Sequence, residues 1–132
     1  MKRPLLVALL FPLAAVAGPF DQPWALIQGD TTPPAGTNLG PAPVSRVDGV
    51  SASRGRAIVE PGLRRVTVDL PPRKGFSVGT QETFELVASP CMRYHVAAKP
   101  DTADGQRWVP VVRSSESIGE CLKKFRGGTT PQ

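Results

Sequence analysis

The chain has 132 residues, with 16 Lys and Arg, 11 Asp and Glu, a formal net charge of +5 and 6% aromatic residues. This length favours one domain with a modest core. The basic residues are scattered and few aromatic residues lie among them, which argues against a groove for nucleic acid. Beyond residue 17 no apolar run approaches the roughly 20 residues of a membrane-spanning helix, so we expect no membrane insertion of the mature chain.

The N-terminal segment 1–17 has the pattern of a secretory signal peptide. Lys2 and Arg3 form a positive start, residues 4–14 form an apolar run, and the small-x-small motif Ala-Val-Ala occupies 15–17. No cysteine follows that motif directly, so we do not expect a lipid anchor. The segment therefore predicts a protein that is cleaved after residue 17 and is periplasmic or secreted.

The next segment, 18–43, is rich in proline and glycine, which predicts an extended arm or a flexible leader. Its six prolines remove backbone donors and fix φ, so we expect neither a regular helix nor a central strand there. Trp24, Leu26 and Ile27 form its concentrated apolar patch. Either this patch packs against the domain and orders the arm, or the arm is disordered. The sequence leaves both possibilities open.

From residue 44 onward, apolar and polar residues alternate with period 2, which is the pattern of half-buried strands. Phe84, Leu86 and Ala88, for example, share one face of a predicted strand. Turns that contain proline or glycine separate five predicted strands, at 56–59, 63–70, 83–88, 92–97 and 107–112.

These elements predict an all-β fold over 44–126, a small antiparallel β-sandwich or open barrel with a proline-rich N-terminal arm and one disulfide. Residues 116–125 form either a short helix or one more strand, and the sequence does not decide between them. Residues 127–132 are predicted to be a flexible tail.

The disulfide is predicted from the cysteine count, because Cys91 and Cys121 are the only cysteines of the chain. An even number of cysteines in an exported protein favours a bridge between them. The alternative, a redox or metal-binding pair, lacks a C-x-x-C motif and has only His95 as a further imidazole ligand, whereas a zinc site usually has four ligands. We therefore expect no metal and no other cofactor.

One stretch of the predicted sandwich resembles a known family. Val-Asp-Gly at 47–49 is followed by a variable loop and by AIVEPGLRRVTV at 57–68. Over residues 44–70 this order resembles the PEGA family of small extracytoplasmic β-domains, in which one strand ends in Asp-Gly, a second runs into Pro-Gly and a third carries Val-x-Val. The chain departs from that pattern at Arg64 and Arg65. The resemblance implies a β-sandwich with an accessory or surface role and no catalytic residue.

A possible catalytic motif is Gly-Phe-Ser-Val-Gly at 75–79, which fits the G-x-S-x-G pattern of a hydrolase nucleophile elbow. That elbow requires a buried strand before the serine and a helix after it, and Pro71-Pro72 precedes the motif instead. Ser77 would also need His95 as its base and a carboxylate such as Asp69 to orient the imidazole. No phosphate loop, EF-hand loop or dinucleotide fingerprint occurs, and we expect no catalytic residue.

A possible binding face follows from the phase of two predicted strands. Arg65 and Thr67 alternate with buried valines, and Arg93 and His95 alternate with residues that include Tyr94. A polar face of this kind presents cationic groups to an acidic partner or glycan. The alternative is a solvated sheet face with no ligand. Tyr94 and Trp108 are assigned to the core rather than to a stacking platform.

Together these features favour an exported, non-enzymatic accessory, structural or protein-interaction module of the bacterial cell envelope. Its expected partner is an envelope protein or an acidic glycan, and its oligomeric state is left open. Two other classes remain: a small ligand-binding protein or enzyme inhibitor that acts through the basic sheet face, and a serine hydrolase.

Overall fold

The computed structural model describes residues 18–73, 75–101 and 107–125, so the predicted signal peptide and the predicted tail at 127–132 lie outside the described residues. Within these ranges the chain forms eight strands and one helix. They are β1 (Ala25–Gly29), β2 (Val44–Val47), β3 (Val50–Ser51), β4 (Arg56–Val59), β5 (Gly62–Leu70), β6 (Thr80–Ala88), β7 (Met92–Pro100), β8 (Trp108–Ser117) and α1 (Gly119–Phe125).

The strands form two four-stranded sheets. Sheet A has the order β4-β1-β7-β8, and sheet B has the order β3-β2-β5-β6. All neighbouring pairs are antiparallel except β1 and β7, which run parallel. The core lies between the sheets, with Ile27, Val96 and Ala98 from sheet A against Val66 and Val68 from sheet B. The all-β prediction is confirmed, and because each sheet keeps two edge strands the fold is an open sandwich rather than a closed barrel.

The expectation that segment 18–43 holds no central strand is wrong. β1 lies between β4 and β7 in sheet A and buries Ala25, Ile27 and Gly29 on one face. The prolines of this segment flank the strand and leave residues 24–32 free of proline, so five residues pair without losing a ladder donor. The apolar patch that includes Leu26 and Ile27 is therefore part of a sheet rather than of an arm.

The predicted strands are confirmed in position, although some differ in extent. β4 has the predicted bounds, whereas β8 runs on to Ser117. Its second half is polar and carries no apolar alternation, but it is an edge strand that pairs with the start of β7. Residues 119–125 form a helix, with Glu120 in the first turn and Lys123 and Lys124 in the last, an arrangement that complements the helix dipole.

The predicted Cys91–Cys121 disulfide is confirmed, with the two Cα atoms 5.3 Å apart. It joins the turn between β6 and β7 to α1. Both cysteines are buried in a cluster with Trp24 and Ile118, next to the main core. Within the described ranges no helix is long and apolar enough to cross a membrane.

Candidate functional site

The four residues of the predicted binding face do not form one surface. Arg65 and Thr67 lie on β5 in sheet B, whereas Arg93 and His95 lie on β7 in sheet A. The neighbours of each pair along the strand point into the core, so the two pairs lie on opposite outer faces of the sandwich. Alternation shows which side chains point outward on a strand, but it does not show which sheet the strand joins.

On the half of this predicted face that lies on sheet B, the Thr67 hydroxyl and the Arg65 backbone are engaged by contacts within the sheet. Thr67 Oγ1 lies 2.7 Å from Thr83 Oγ1 on β6, and the backbone N–H of Arg65 donates to Asp48 Oδ1 at 2.9 Å. That bond, together with one from Arg64 Nη1 at 2.8 Å, lowers the pKa of the Asp48 carboxyl below its usual value. These contacts hold the β2–β3 hairpin against β5.

On sheet A, both residues of the predicted binding face contact the same carboxylate, that of Glu116. His95 Nε2–H donates to Glu116 Oε1 at 3.2 Å, and Arg93 Nη1–H donates to Glu116 Oε2 at 2.9 Å. The hydrogen bond from His95, followed by that from Arg93, lowers the pKa of Glu116 below its ordinary value of 4.5. Arg93 and His95 are therefore engaged by a neighbour on β8 rather than presented free to a partner.

The lowered pKa of Glu116 predicts a pH-dependent stability difference. A carboxyl with a depressed folded-state pKa stabilises the fold above its unfolded-state pKa, and the contribution disappears as the pH falls through the folded-state pKa. We expect Glu116→Gln to melt at a lower temperature than the wild type at pH 7. The difference should shrink below about pH 4.5 and vanish below the lower folded-state pKa of Glu116. Thermal melts between pH 7 and pH 2 measure this.

The control for this measurement is Glu85→Gln, which alters an exposed carboxylate on sheet B. A melting difference for Glu116→Gln that stays constant with pH, or that Glu85→Gln reproduces, would contradict the assigned ion pairs.

A second charged pair lies beside this one and was not predicted from the sequence. Asp30, directly after β1, is the one buried charged residue within the described residues. Arg113 donates to its carboxylate through Nε, and also through Nη2 at 3.2 Å. This contact raises the pKa of Arg113. His95 Nδ1 lies 3.9 Å from Asp30 Oδ1 and has no hydrogen-bond partner in the described part of the chain, so Asp30 lies between Arg113 and the His95 ring.

A β-bulge places Arg113 at this position. His95 pairs with Ser114 and Val96 pairs with Val112, so Arg113 is the extra residue of β8. Asp30 is held from the other side, because its backbone N–H donates to the carbonyl of Val96 at 2.8 Å. The parallel pairing of β1 with β7 thus brings together two residues that lie far apart in the chain.

The Asp30–Arg113 pair borders a polar cleft of about 340 Å³, which we call the arginine cleft. Of the residues that the structure describes, three contribute guanidinium groups to its wall, Arg54, Arg56 and Arg113, and one contributes a carboxylate, Asp30, which is already bonded to Arg113. Within the described residues Arg54 and Arg56 have no acidic partner. The remaining polar side chains of the wall are those of Gln28, Thr31, Thr32 and His95.

A tight turn holds Arg54 and Arg56 at the cleft. Arg54 and Gly55 have φ values of 58° and 75°, typical of a two-residue turn of type I′. Ser53 and Arg56 close it by exchanging backbone hydrogen bonds of 3.3 and 3.2 Å. The carbonyl of Gly55 accepts from the backbone N–H groups of Gly29 and Val44, which ties the turn to β1 and β2. The Arg-Gly dipeptide at 54–55 is the sequence signal for this turn, which lies within the predicted variable loop.

The serine motif is not assembled into a hydrolase site. Ser77 lies in the exposed loop between β5 and β6, while His95 is hydrogen-bonded to Glu116 on the outer face of sheet A. Tyr94 is buried and its hydroxyl accepts from the backbone N–H of Ser89 at 2.8 Å, in agreement with its assignment to the core. Across the parts of the chain that the structure describes, no cluster of three or more His, Cys, Asp and Glu suits a metal ion.

The chain matches no protein-family model, and neither curated proteins nor solved structures provide a match. The PEGA-like character of residues 44–70 therefore stays a prediction. The function proposed below is based on the geometry of the arginine cleft and its surroundings.

Proposed function

We propose that this protein is an exported, non-enzymatic interaction module of the bacterial cell envelope that binds carboxylate groups of an acidic envelope protein in the arginine cleft. The observation that carries the proposal concerns the described residues: the guanidinium groups of Arg54 and Arg56 have no acidic partner among them, and the one carboxylate they place at the cleft is already engaged. Guanidinium groups bind carboxylates through short, charge-assisted hydrogen bonds, often two at a time.

Further support comes from the rigidity of the cleft. Arg54 and Arg56 stand on a closed turn, and the Asp30–Arg113 pair fixes the opposite wall. A preformed site loses less conformational entropy when it binds. Export is supported by the signal-peptide pattern at 1–17 and is compatible with the disulfide. The basic residues that serve this function are therefore different from those singled out by strand phase.

The proposal is tested by charge reversal in the cleft. We expect Arg54→Glu/Arg56→Glu to weaken binding of a fluorescein-labelled oligoglutamate peptide at least tenfold, because two attractive contacts become repulsive. Fluorescence anisotropy with the oxidised chain 18–132 measures the dissociation constant. The matched control is Arg46→Glu/Arg65→Glu, which makes the same charge change on the outer face of sheet B and should alter binding less than twofold.

Equal losses in the two double variants would show that only the net charge matters and would overturn the cleft as the site. A labelled oligogalacturonate, titrated in parallel, distinguishes the two acidic partners. If it alone binds through Arg54 and Arg56, the partner is an acidic glycan rather than a protein.

A further inference from the structure

An open groove of about 750 Å³ lies between the β2–β3 hairpin of sheet B and β4 of sheet A, and we call it the edge groove. Both of its walls end in edge strands. The bridge between Ser53 and Arg56 closes one end of the groove, and from there β3 and β4 diverge into different sheets without further pairing. The groove is therefore a gap between two strands that begin as a hairpin and separate.

The backbone of β4 has one free edge that faces this groove. The N–H and C=O of Arg56 both bond to Ser53, on the side away from β1. Backbone groups alternate in direction along a strand, so those of Ile58 point the same way, and on that side β4 pairs with no other strand of the described ranges. On the opposite wall the N–H of Ala52 bonds to Ser45 on β2, so the groups of Ser51 point into the groove.

The side chains of the groove also lack a covering layer. Ala57 and Val59 of β4 point toward the core side of sheet A, but both are only half-buried. Val50 on β3 and Ile58 on β4 are 71% and 44% exposed. Large apolar side chains at this exposure, next to unpaired strand edges, are typical of a surface that receives another chain.

We infer that the acidic partner binds as an extended strand that lies in the edge groove and pairs with the free edge of β4. This inference rests on the proposed function and specifies the form in which the partner presents its carboxylates. Arg54 and Arg56 border both the edge groove and the arginine cleft. A strand added to β4 therefore brings alternate side chains beside Arg56, while the others face Ala57 and Val59.

This geometry defines the partner's chemistry. The side chains on the outer face of sheet A meet Arg54 and Arg56, so they are acidic, and the side chains on the inner face meet the open core, so they are apolar. The recognised segment is a short stretch of alternating apolar and acidic residues. Main-chain hydrogen bonds supply affinity in such an addition, and the alternate side chains supply selectivity.

The test uses an eight-residue labelled peptide of alternating valine and glutamate, titrated by anisotropy against the oxidised chain 18–132. Two further peptides carry N-methyl groups on either all valines or all glutamates, which removes the backbone donors of one edge while keeping every side chain. We expect one of the two methylated peptides to bind at least tenfold more weakly than the parent. Equal affinity of all three would overturn strand addition.

A variant of the protein tests the same edge. Ile58→Pro removes the N–H that points into the groove and leaves the bonds from β4 to β1 in place. We expect it to weaken peptide binding at least tenfold, whereas Ile58→Thr, which keeps the N–H, should weaken it about threefold or less. If Ile58→Pro does not fold, the methylated peptides decide the question alone.

The results separate the two proposals. Loss of binding in Arg54→Glu/Arg56→Glu with no effect of Ile58→Pro or N-methylation keeps the arginine cleft and overturns strand addition. Loss of binding with Ile58→Pro or N-methylation, together with no effect of Arg54→Glu/Arg56→Glu, keeps strand addition and overturns the cleft. If the chain instead forms a dimer that Ile58→Pro dissociates, as measured by sedimentation, the occupant is a second copy and the acidic strand is overturned.

Discussion

Gly29→Ala is expected to destabilise the fold by about 3 kcal/mol, since overpacking against atoms that cannot move is among the costlier single changes. A Cβ atom on Gly29 would lie 2.1 Å from the carbonyl oxygen of Ala42, 2.5 Å from the nitrogen of Val44 and 2.6 Å from the Cα of Pro43. All three are backbone atoms, so no side-chain rotation relieves the overlap. The end of β1 must separate from the segment that leads into β2.

That separation also breaks hydrogen bonds that join the two sheets. The N–H of Ala42 donates to the carbonyl of Asp30 at 2.8 Å, and the N–H of Val44 donates to that of Gly55 at 3.0 Å. Displacing either segment leaves buried backbone groups unpaired, which adds to the cost. The substitution therefore acts on the junction of sheets A and B rather than on a single strand.

Equilibrium unfolding in urea measures this prediction. The matched control is Gly119→Ala, because no atom lies within 4 Å of a Cβ at that position and the residue begins α1. We expect the control to change the unfolding free energy by less than about 0.5 kcal/mol. A midpoint for Gly29→Ala that equals that of the control would show that the backbone at Ala42 is not fixed.

Reduction of the Cys91–Cys121 disulfide is expected to cost about 3.5 kcal/mol, because the bridge closes a loop with a sequence separation of 30 residues and restricts the unfolded chain. For a domain of this size that is a large share of the total stability. The double variant Cys91→Ser/Cys121→Ser, compared with the oxidised wild type in urea, measures the effect without a reductant.

The loss of stability on reduction of the disulfide is expected to appear first at α1. This helix has seven residues, too few to be stable without tertiary contacts. Its docking cluster includes Trp24, whose ring contacts Phe20 and Phe125 at centroid distances of 4.9 and 6.0 Å. In a Trp108→Phe background, Trp24 fluorescence should shift to the red when the disulfide is reduced. An unchanged Trp24 spectrum and an unchanged midpoint would both contradict a stabilising role for the bridge.

Much of the fold follows from local patterns, whereas β1 and the polar half of β8 do not. Alternating apolar residues and turn residues predict β4 to β7, because one face of each strand is buried. β1 is a five-residue strand between prolines, in a segment, 18–43, whose overall composition resembles that of a loop. Residues 113–117 are polar on both faces and become a strand only because β7 offers an edge to pair with.

The arginine cleft is harder to predict than the fold because it depends on sheet membership. Asp30 and Arg113 meet through the parallel pairing of β1 with β7 and the bulge in β8. No pattern in the local sequence predicts either feature. Strand phase correctly places Arg65, Thr67, Arg93 and His95 on outward faces. Outward phase places these four residues on one surface only if their strands belong to one sheet. β5 and β7 belong to different sheets.

The parallel pairing of β1 with β7 also sets the order in which the molecule can be completed. Leu26 pairs with Arg93, so a chain made from its N-terminus carries β1 without one of its two neighbours until β7 has been synthesised. Sheet B, by contrast, takes all four of its strands from between Val44 and Ala88, a stretch that otherwise holds only β4 among the described strands. Pairing over such a long separation has a large loop-closure entropy and folds slowly. Closure of sheet A is therefore expected to be a late event in folding.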